Sequence, residues 1–464
     1  MKRSLNSKTG QPWRVLWFGD LVTPSGFGRI GNAVMLRLAR RGYIVEGASI
    51  SYTGWPLDRN EFPYHVWPLG GQDLFGGLVV IANQFKPDLI ISCQDFPYHH
   101  QIWHACKIDF SRIKWVWIAP IDGTPIHPEW AKLADYADGG MVISHFGIEA
   151  MRQAGKRVAL CHPGVEFSEF FPATPEEKIE LRKKAGYTDS DFIIGIVCMN
   201  QGRKAISQMI AAFYEFARDK PRARIYLDMD KASPAGWDIP ALLSQMQWMD
   251  DEKKRVVYRE DLFKRDFDAF SPLRNRYALM DLHMVISHRE GFGLPHLEAM
   301  ACRVPTMALD WCSGTEICSE GRGFLIPCID YMEHGCWGGA LEAFPDVVAL
   351  IAQMELSYSC PDETRAIAQR GYEWAIKQTW DVTTDQVEDL IQIALARERT
   401  VPPDVSRPPV SSPAPGLSDT YGPASDGRDP GLQPPERTNH RDGEPIQDGA
   451  EAGAVGTIGD HRPG

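Results

Sequence analysis

Short apolar runs alternate with amphipathic stretches along most of the chain. The runs predict buried strands, because a strand covered on both faces is apolar at successive positions. They lie at residues 14–19, 43–50, 89–93, 114–119, 140–144, 192–197, 282–286 and 302–309. Between them, residues 30–41 and 206–216 carry apolar side chains at helical spacing. This alternation predicts an α/β protein with two parallel-sheet domains.

The predicted domain boundary lies near residues 164–172, and the composition changes again near residue 401. We expect a first domain at residues 1–168, a second at 169–380 and a last helix at 381–400. Of the chain's 34 prolines, twelve fall after residue 400, among Gly, Ser, Asp and Arg. Because such a segment has too few apolar residues to offset chain entropy, we expect a disordered tail at 401–464.

Charge and composition narrow the class of protein. The formal net charge of −12 argues against non-specific nucleic-acid binding. The sequence has no apolar run long enough for a transmembrane helix and no apolar core of a signal peptide near its start. Its ten cysteines form no CxxC pair, which favours a reducing compartment. We therefore expect a cytoplasmic protein, with peripheral membrane contact left open.

The strongest chemical signal is the segment S-H-R-E-G-F-G-L-P-H-L-E at residues 287–298. Gly291 and Gly293 allow the backbone to approach a ligand closely. Pro295 suits the first turn of a helix, whose free N–H groups and dipole favour an anion. Glu290 precedes that helix and Glu298 lies about one turn inside it, so the two acids can face one ligand. The pattern predicts a site for a phosphate-linked sugar.

Two further stretches follow predicted strands and precede predicted helices. Arg203 and Lys204 can clamp a diphosphate, one as a planar fork and the other as a point charge. Gly26 and Gly28 lie in a predicted glycine-rich turn after the first strand. Residues 26–31 also match the G-x-G-x-x-G spacing of dinucleotide-binding proteins, with Glu46 at a suitable distance for a ribose.

The segment from Tyr277 to Pro327 resembles retaining glycosyltransferases of family 4, and the resemblance extends over roughly residues 12–395. Its marker is the E-x7-E pattern with G-F-G-L-P inside it. The resemblance implies the GT-B fold, in which two Rossmann-like, doubly wound parallel-sheet domains face a central cleft. It implies transfer of a sugar, expected to be a hexose, from a nucleoside-diphosphate sugar with retention of configuration. No metal and no other cofactor is implied, and the acceptor is unidentified.

The resemblance also implies roles for individual residues. The first domain would bind the acceptor and the second the nucleotide sugar. Glu298 corresponds to the ribose-binding acid, and Glu290 to the acid beside the transferred sugar. The other implied donor-site residues are Gly28, Arg203, Lys204, Gly291, Phe292, Gly293 and Leu294. Asp122 and His127 follow the strand at 114–119, where the family often has a histidine, and are further catalytic candidates.

The sequence departs from the family pattern at two places, and two other functions stay open. Cys198 or Met199 stands where an upstream arginine is often found, and Arg303 replaces a usual glycine. One alternative is an NAD-dependent sugar-nucleotide oxidoreductase or epimerase, based on residues 26–31 and Glu46. The other is a non-catalytic protein of the same fold that binds partners through its tail.

Overall fold

The computed structural model describes residues 4–6, 9–246, 255–334 and 339–397, so the tail predicted at 401–464 lies outside the described residues. The strands are β1 (Arg14–Gly19), β2 (Ile44–Ser49), β3 (His65–Pro68), β4 (Leu89–Cys93), β5 (Lys114–Ala119), β6 (Gly139–Val142), β7 (Ala159–Leu160), β8 (Phe192–Val197), β9 (Ala223–Asp228), β10 (Val256–Tyr258), β11 (Leu282–Met284), β12 (Thr306–Leu309), β13 (Phe324–Ile326), β14 (Cys328–His334) and β15 (Ala340–Pro345). The helices are Gly26–Arg40, Leu74–Phe85, Phe96–Ala105, Pro128–Ala131, Leu133–Tyr136, His145–Gln153, Pro175–Lys184, Ile206–Ala217, Ile239–Gln245, Arg259–Arg265, Phe267–Phe270, Leu273–Ala278, Leu294–Ala301, Ser313–Cys318, Val347–Ser359, Pro361–Ala375 and Trp380–Ala396.

The first parallel sheet has the order β3-β2-β1-β4-β5-β6-β7. Strand β1 pairs with both β2 and β4, so the strand order reverses beside it. A crevice forms at such a reversal, outside the carboxyl ends of the strands, and ligands bind there. The sequence predicted the central strands of this sheet and missed the short outer strands β3 and β7.

The second parallel sheet has the order β10-β9-β8-β11-β12-β13, with its own reversal beside β8. The strand expected at 302–309 is confined to β12, because the chain before it completes a helix and a turn. Strands β14 and β15 form a separate antiparallel hairpin that the sequence did not predict. The two parallel-sheet domains themselves were predicted.

The glycine-rich turn expected at residues 24–29 is wrong in its extent, because a helix already begins at Gly26. Ser25 is its N-cap, and the Ser25 hydroxyl accepts a hydrogen bond from the Gly28 N–H at 3.0 Å. This capping bond starts the helix four residues before its first apolar periodic position. Gly26 and Gly28 therefore belong to the first helical turn and not to a loop.

The last helix, Trp380–Ala396, packs against the helix Gly26–Arg40 of the first sheet. Arg37 on that helix donates to Asp381 at 3.0 Å, and the Tyr43 hydroxyl donates to Glu388 at 3.0 Å. In the described part of the chain, no helix is both long and apolar enough to cross a bilayer.

Candidate functional site

Two loops meet at the carboxyl end of the second sheet, because β8 and β11 are neighbouring parallel strands. The loop after β8 carries Arg203 and Lys204, and the loop after β11 carries Glu290. A bridge between Lys204 and Ser287 holds the loops together, and the Ala205 N–H donates to the Ile286 carbonyl at 3.0 Å. The structure thus brings the predicted diphosphate clamp to one of the two predicted acids.

Lys204 and Glu290 form an ion pair in which the side chains are only 7% and 13% exposed. The Ser287 hydroxyl donates to the same carboxylate at 3.0 Å. Arg203 Nη1 lies 3.6 Å from Glu290 Oε2 and donates to the Arg289 carbonyl at 2.9 Å. The Met199 side chain is 55% exposed, and Arg203 is the second cation near Glu290.

Burial by itself would raise the pKa of Glu290, but the Lys204 ammonium and the Arg203 guanidinium hold it at about 2. Burial and the neighbouring Arg203 lower the pKa of Lys204. Because the pKa of Glu290 is lowered, its carboxyl group is ionised throughout the neutral pH range. Two cations facing one ionised acid leave a net positive charge where the resemblance implies a diphosphate.

The loop between Glu290 and the helix Leu294–Ala301 depends on its two glycines. Gly293 precedes the helix with a φ of 96°, a conformation that favours glycine. A Cβ on Gly291 would lie 2.7 Å from Pro120 Cβ, so this loop approaches the first domain closely. Phe292 is buried, and its ring meets the His162 ring edge to face at 4.7 Å. The helix N-terminus therefore opens at the boundary between the two sheets' domains.

Glu298 is buried on that helix, with only 3% of its surface exposed. The Tyr277 hydroxyl donates to its Oε2 at 2.9 Å. Its Oε1 forms an ion pair with Arg29, which comes from the helix Gly26–Arg40 of the first domain. A Cβ on Gly26 would lie 3.8 Å from Leu294 Cδ1, so the N-termini of the two helices are neighbours.

Gly28 serves the geometry of the helix start. A Cβ at this position would lie 2.1 Å from the Thr23 carbonyl oxygen, so no larger residue fits. Its N–H is already bonded to Ser25, whose hydroxyl in turn donates to Asp20 at 2.7 Å. The donor contact that the resemblance implies for Gly28 stays a prediction.

Asp122 faces the second domain across the cleft. Its Oδ2 lies 3.8 Å from Arg289 Nη1, and its carbonyl accepts from the Cys312 thiol at 3.0 Å. Asp122 and Asp95 line a small pocket together with Phe96, Pro120, Ile121, Gly123, Pro125, Ile126, Trp130 and Ala340. Burial and the nearby Asp122 raise the pKa of Asp95 to about 7. Two carboxylates and two aromatic rings thus share one pocket.

His127 has a local role in the structure. Its Nδ1 accepts from the Glu129 N–H at 3.3 Å and so caps the short helix Pro128–Ala131. Its ring centroid lies 5.6 Å from that of Trp130, which lines the Asp122 pocket. The catalytic role suggested for His127 stays a prediction.

Sequence reasoning missed several residues that complete the site. Arg29 and Tyr277 both contact Glu298. In the sequence, each is marked only by its position near a motif: Arg29 follows Gly28, and Tyr277 begins the segment that resembles the family. The hairpin of β14 and β15 also reaches the cleft: the Leu341 N–H donates to the Thr124 carbonyl at 3.0 Å. Arg289 donates to Glu342 on this hairpin at 3.0 Å. No short-range pattern links these residues, because they come from distant segments.

The dinucleotide alternative does not fit the geometry of Glu46. This residue lies in the middle of β2, not at its carboxyl end, and its carboxylate accepts from the Trp67 indole at 2.6 Å. A ribose-binding acid in that class follows the strand, where it faces the ligand. The Glu46 carboxylate therefore forms a hydrogen bond with the neighbouring strand β3 and does not face a ligand site.

Comparisons with known proteins find a family match within the second domain and relatives over about half of the chain or more. Residues 267–334 match the family model of glycosyl transferases group 1. The D-inositol 3-phosphate glycosyltransferase of Segniliparus rotundus is 24% identical over 50% of this chain and 45% of its own length. The putative glycosyltransferase EpsD of Bacillus subtilis is 24% identical over 62% of this chain and 67% of its own length. The chain therefore spans about half to two thirds of these curated relatives.

A solved structure shows the same fold over most of the chain. Anabaena Alr3699/HepE, in complex with UDP and glucose, superimposes with a TM-score of 0.63 at 17% identity. The match covers 82% of this chain and 99% of that one. The predicted GT-B architecture of two parallel-sheet domains is thereby confirmed.

Proposed function

We propose that the chain is a group 1 glycosyltransferase, which transfers a sugar from a nucleoside-diphosphate sugar to an acceptor hydroxyl. The observation that carries the proposal is the buried group of Lys204, Arg203 and Glu290 beside the N-terminus of the helix Leu294–Ala301. We further propose retention of configuration and no requirement for a metal.

The donor would lie along the carboxyl end of the second sheet. Its diphosphate would face Lys204, Arg203 and the free N–H groups at the helix start, which together supply positive charge without a metal. Its ribose hydroxyls would donate to Glu298. The complex of Anabaena Alr3699/HepE with UDP and glucose supports a nucleotide-sugar ligand for this fold, and the base and sugar for this chain stay open.

The charge state of Glu290 limits its part in the reaction. A carboxyl with a pKa of about 2 has no proton to donate at neutral pH. It can accept hydrogen bonds from sugar hydroxyls and stabilise positive charge that develops at the anomeric carbon. In the proposed step, the bond from the anomeric carbon to the diphosphate oxygen breaks and a bond to the acceptor oxygen forms on the same face. The leaving diphosphate takes the acceptor proton.

The acceptor would enter from the side of the first domain. The pocket lined by Asp95, Asp122 and Trp130 opens beside Arg289, which contacts both Asp122 and the hairpin residue Glu342. Carboxylates in this position can accept from hydroxyl groups, and the aromatic rings offer a flat apolar surface. Contacts from both domains would keep water away from the donor.

The proposal is tested by measuring donor binding and turnover with the full chain. UDP-glucose, ADP-glucose and GDP-mannose are titrated by calorimetry, and nucleotide release is followed with time. Lys204→Met should weaken donor binding at least ten-fold, because the diphosphate loses a buried cation. Glu290→Gln should keep donor binding within a few-fold and reduce turnover at least a hundred-fold.

Two variants guard against effects on folding. Lys183→Met removes an exposed lysine from the helix Pro175–Lys184 and should leave donor binding unchanged. The double variant Lys204→Met/Glu290→Gln removes both partners of the ion pair, so that no buried charge is left alone. Absence of binding to every donor would refute the function, and full turnover by Glu290→Gln would remove this residue from the mechanism.

A further inference from the structure

Arg29 reaches out of the first domain and binds an acid of the second. It lies in the first turn of the helix Gly26–Arg40, and its guanidinium pairs with Glu298 Oε1. The Glu298 side chain is 4% exposed in this pair, whereas the Arg29 side chain is 31% exposed. The other carboxylate oxygen accepts from Tyr277, which belongs to the same domain as Glu298. Both oxygens of Glu298 therefore have a donor.

Tyr277 and Arg29, which both contact Glu298, approach its carboxylate from different domains. Tyr277 is fully buried and approaches Glu298 from within the second domain. Arg29 approaches from the opposite domain, so its guanidinium occupies the side of the carboxylate that faces the cleft. A ligand held between the domains has to reach Glu298 from this same side.

We propose that Arg29 is a further residue of the donor site, which pairs with Glu298 and is displaced from it by the ribose of the nucleotide. This inference rests on the proposed function, because it takes Glu298 as the acceptor for ribose hydroxyls. Binding of the nucleotide exchanges one ion pair for two hydrogen bonds to the same carboxylate. Arg29 thereby lowers the affinity for nucleotides whose ribose hydroxyls bind Glu298, and it has little effect on forms that lack these hydroxyls.

The same contact joins the two domains. Close to it, Gly26 and Leu294 bring the starts of the two helices together, with a Cβ on Gly26 lying 3.8 Å from Leu294 Cδ1. Removing the guanidinium should therefore loosen this junction in the empty protein. Arg29 acts on the donor through Glu298, so it is a positioning residue.

The experiment compares Arg29→Met with Arg40→Met, which makes the same change at an exposed position of the same helix. UDP, GDP and ADP are titrated by calorimetry, followed by the 2′,3′-dideoxy form of the tightest binder. Arg29→Met should bind the tightest ribonucleotide about ten-fold more strongly than the natural chain does. Affinity for its dideoxy form should change less than two-fold, and Arg40→Met should match the natural chain for both.

Amide hydrogen exchange in the empty proteins gives a second readout. Arg29→Met should speed exchange in the helix Leu294–Ala301, and Arg40→Met should not. Equal or weaker ribonucleotide binding by Arg29→Met would overturn the proposal, as would an equal gain for the dideoxy form. If no protein binds any of the three nucleotides, both the proposed function and the displacement by ribose fail, and hydrogen exchange alone decides whether Arg29 joins the domains.

Discussion

Burial sets the charge of individual side chains around the cleft, and the outcome depends on which partners each one has. Glu290 is held ionised because two cations face it, whereas Asp95 has another carboxylate nearby. Burial and Asp122 raise the pKa of Asp95 to about 7, although Arg203 and Arg289 act in the opposite direction. Two acids at one cleft thus differ in protonation at neutral pH.

The raised pKa of Asp95 makes stability depend on pH. A carboxyl that binds its proton more tightly in the folded state stabilises the fold below its unfolded pKa, near 3.8, and loses that contribution as pH rises through about 7. Asp95→Asn removes the ionised form. We expect this variant to be more stable than the natural chain by about 1–2 kcal/mol at pH 8.5. Most of the difference should disappear at pH 5, as measured by urea unfolding.

A matched control separates this effect from general changes in net charge. Asp58→Asn makes the same substitution at an exposed position and is the control for the change in net charge. Parallel pH profiles for Asp95→Asn and the natural chain would contradict the raised pKa.

The sequence revealed some site residues and not others for a physical reason. Glu290, Glu298 and the glycines between them lie in one segment, so their spacing reports their arrangement on a loop and one helical turn. Arg29 contacts Glu298 across a separation of many residues, and only the packing of two domains brings them together. Such a contact leaves no periodic pattern and no local motif in the sequence.

At the scale of elements, capping and turn chemistry decided where several predictions failed. The first helix starts at Gly26 because Ser25 caps it, a signal that the apolar period does not contain. Arg303 follows the helix Leu294–Ala301 with a φ of 57°, which explains why glycine suits this position in the resembling family. Its guanidinium lies 4.6 Å from the centroid of the Tyr372 ring, a contact that glycine lacks. Most central strands, by contrast, were predicted because their apolar runs are continuous, whereas β9 was missed because Arg224 interrupts its apolar run.

Gly293 couples the loop of Glu290 to the helix that follows. Its φ is 96°, and an added Cβ would lie 2.8 Å from His296 Cδ2. Gly293→Ala should therefore reduce the free energy of unfolding by about 1–3 kcal/mol. Because the helix start would shift, we also expect nucleotide binding to weaken at least ten-fold, measured by calorimetry.

Gly155→Ala is the matched control for the cost of placing an alanine at a positive φ. Gly155 has a φ of 73°, and nothing lies within 4 Å of an added Cβ. This variant should lose stability through backbone strain alone and keep nucleotide binding. If Gly293→Ala also kept its affinity, the helix start would have no part in the donor site.

At the scale of the whole molecule, the chain passes twice between the domains at one place. The segment after His162 runs toward the second domain, and the segment at Thr379 leads into the last helix. The Val165 N–H donates to the Gln378 carbonyl at 2.9 Å, and the Thr383 hydroxyl donates to the His162 carbonyl at 2.6 Å. Composition predicted a boundary near residues 164–172, but this pairing of two segments about 220 residues apart was not predictable from local sequence.

The crossing leaves no room for a side chain at Gly164, and this leads to a prediction for the whole fold. A Cβ there would lie 2.3 Å from both Thr379 C and Trp380 N, which are backbone atoms that no rotamer change can move. Gly164→Ala should lower the free energy of unfolding by about 1–3 kcal/mol, because it forces the two segments apart. Gly202→Ala, where the nearest atom is 3.7 Å away, should stay within about 1 kcal/mol of the natural chain. Urea unfolding of the two variants tests this directly: equal stability would mean that the crossing adapts freely and does not fix the domains.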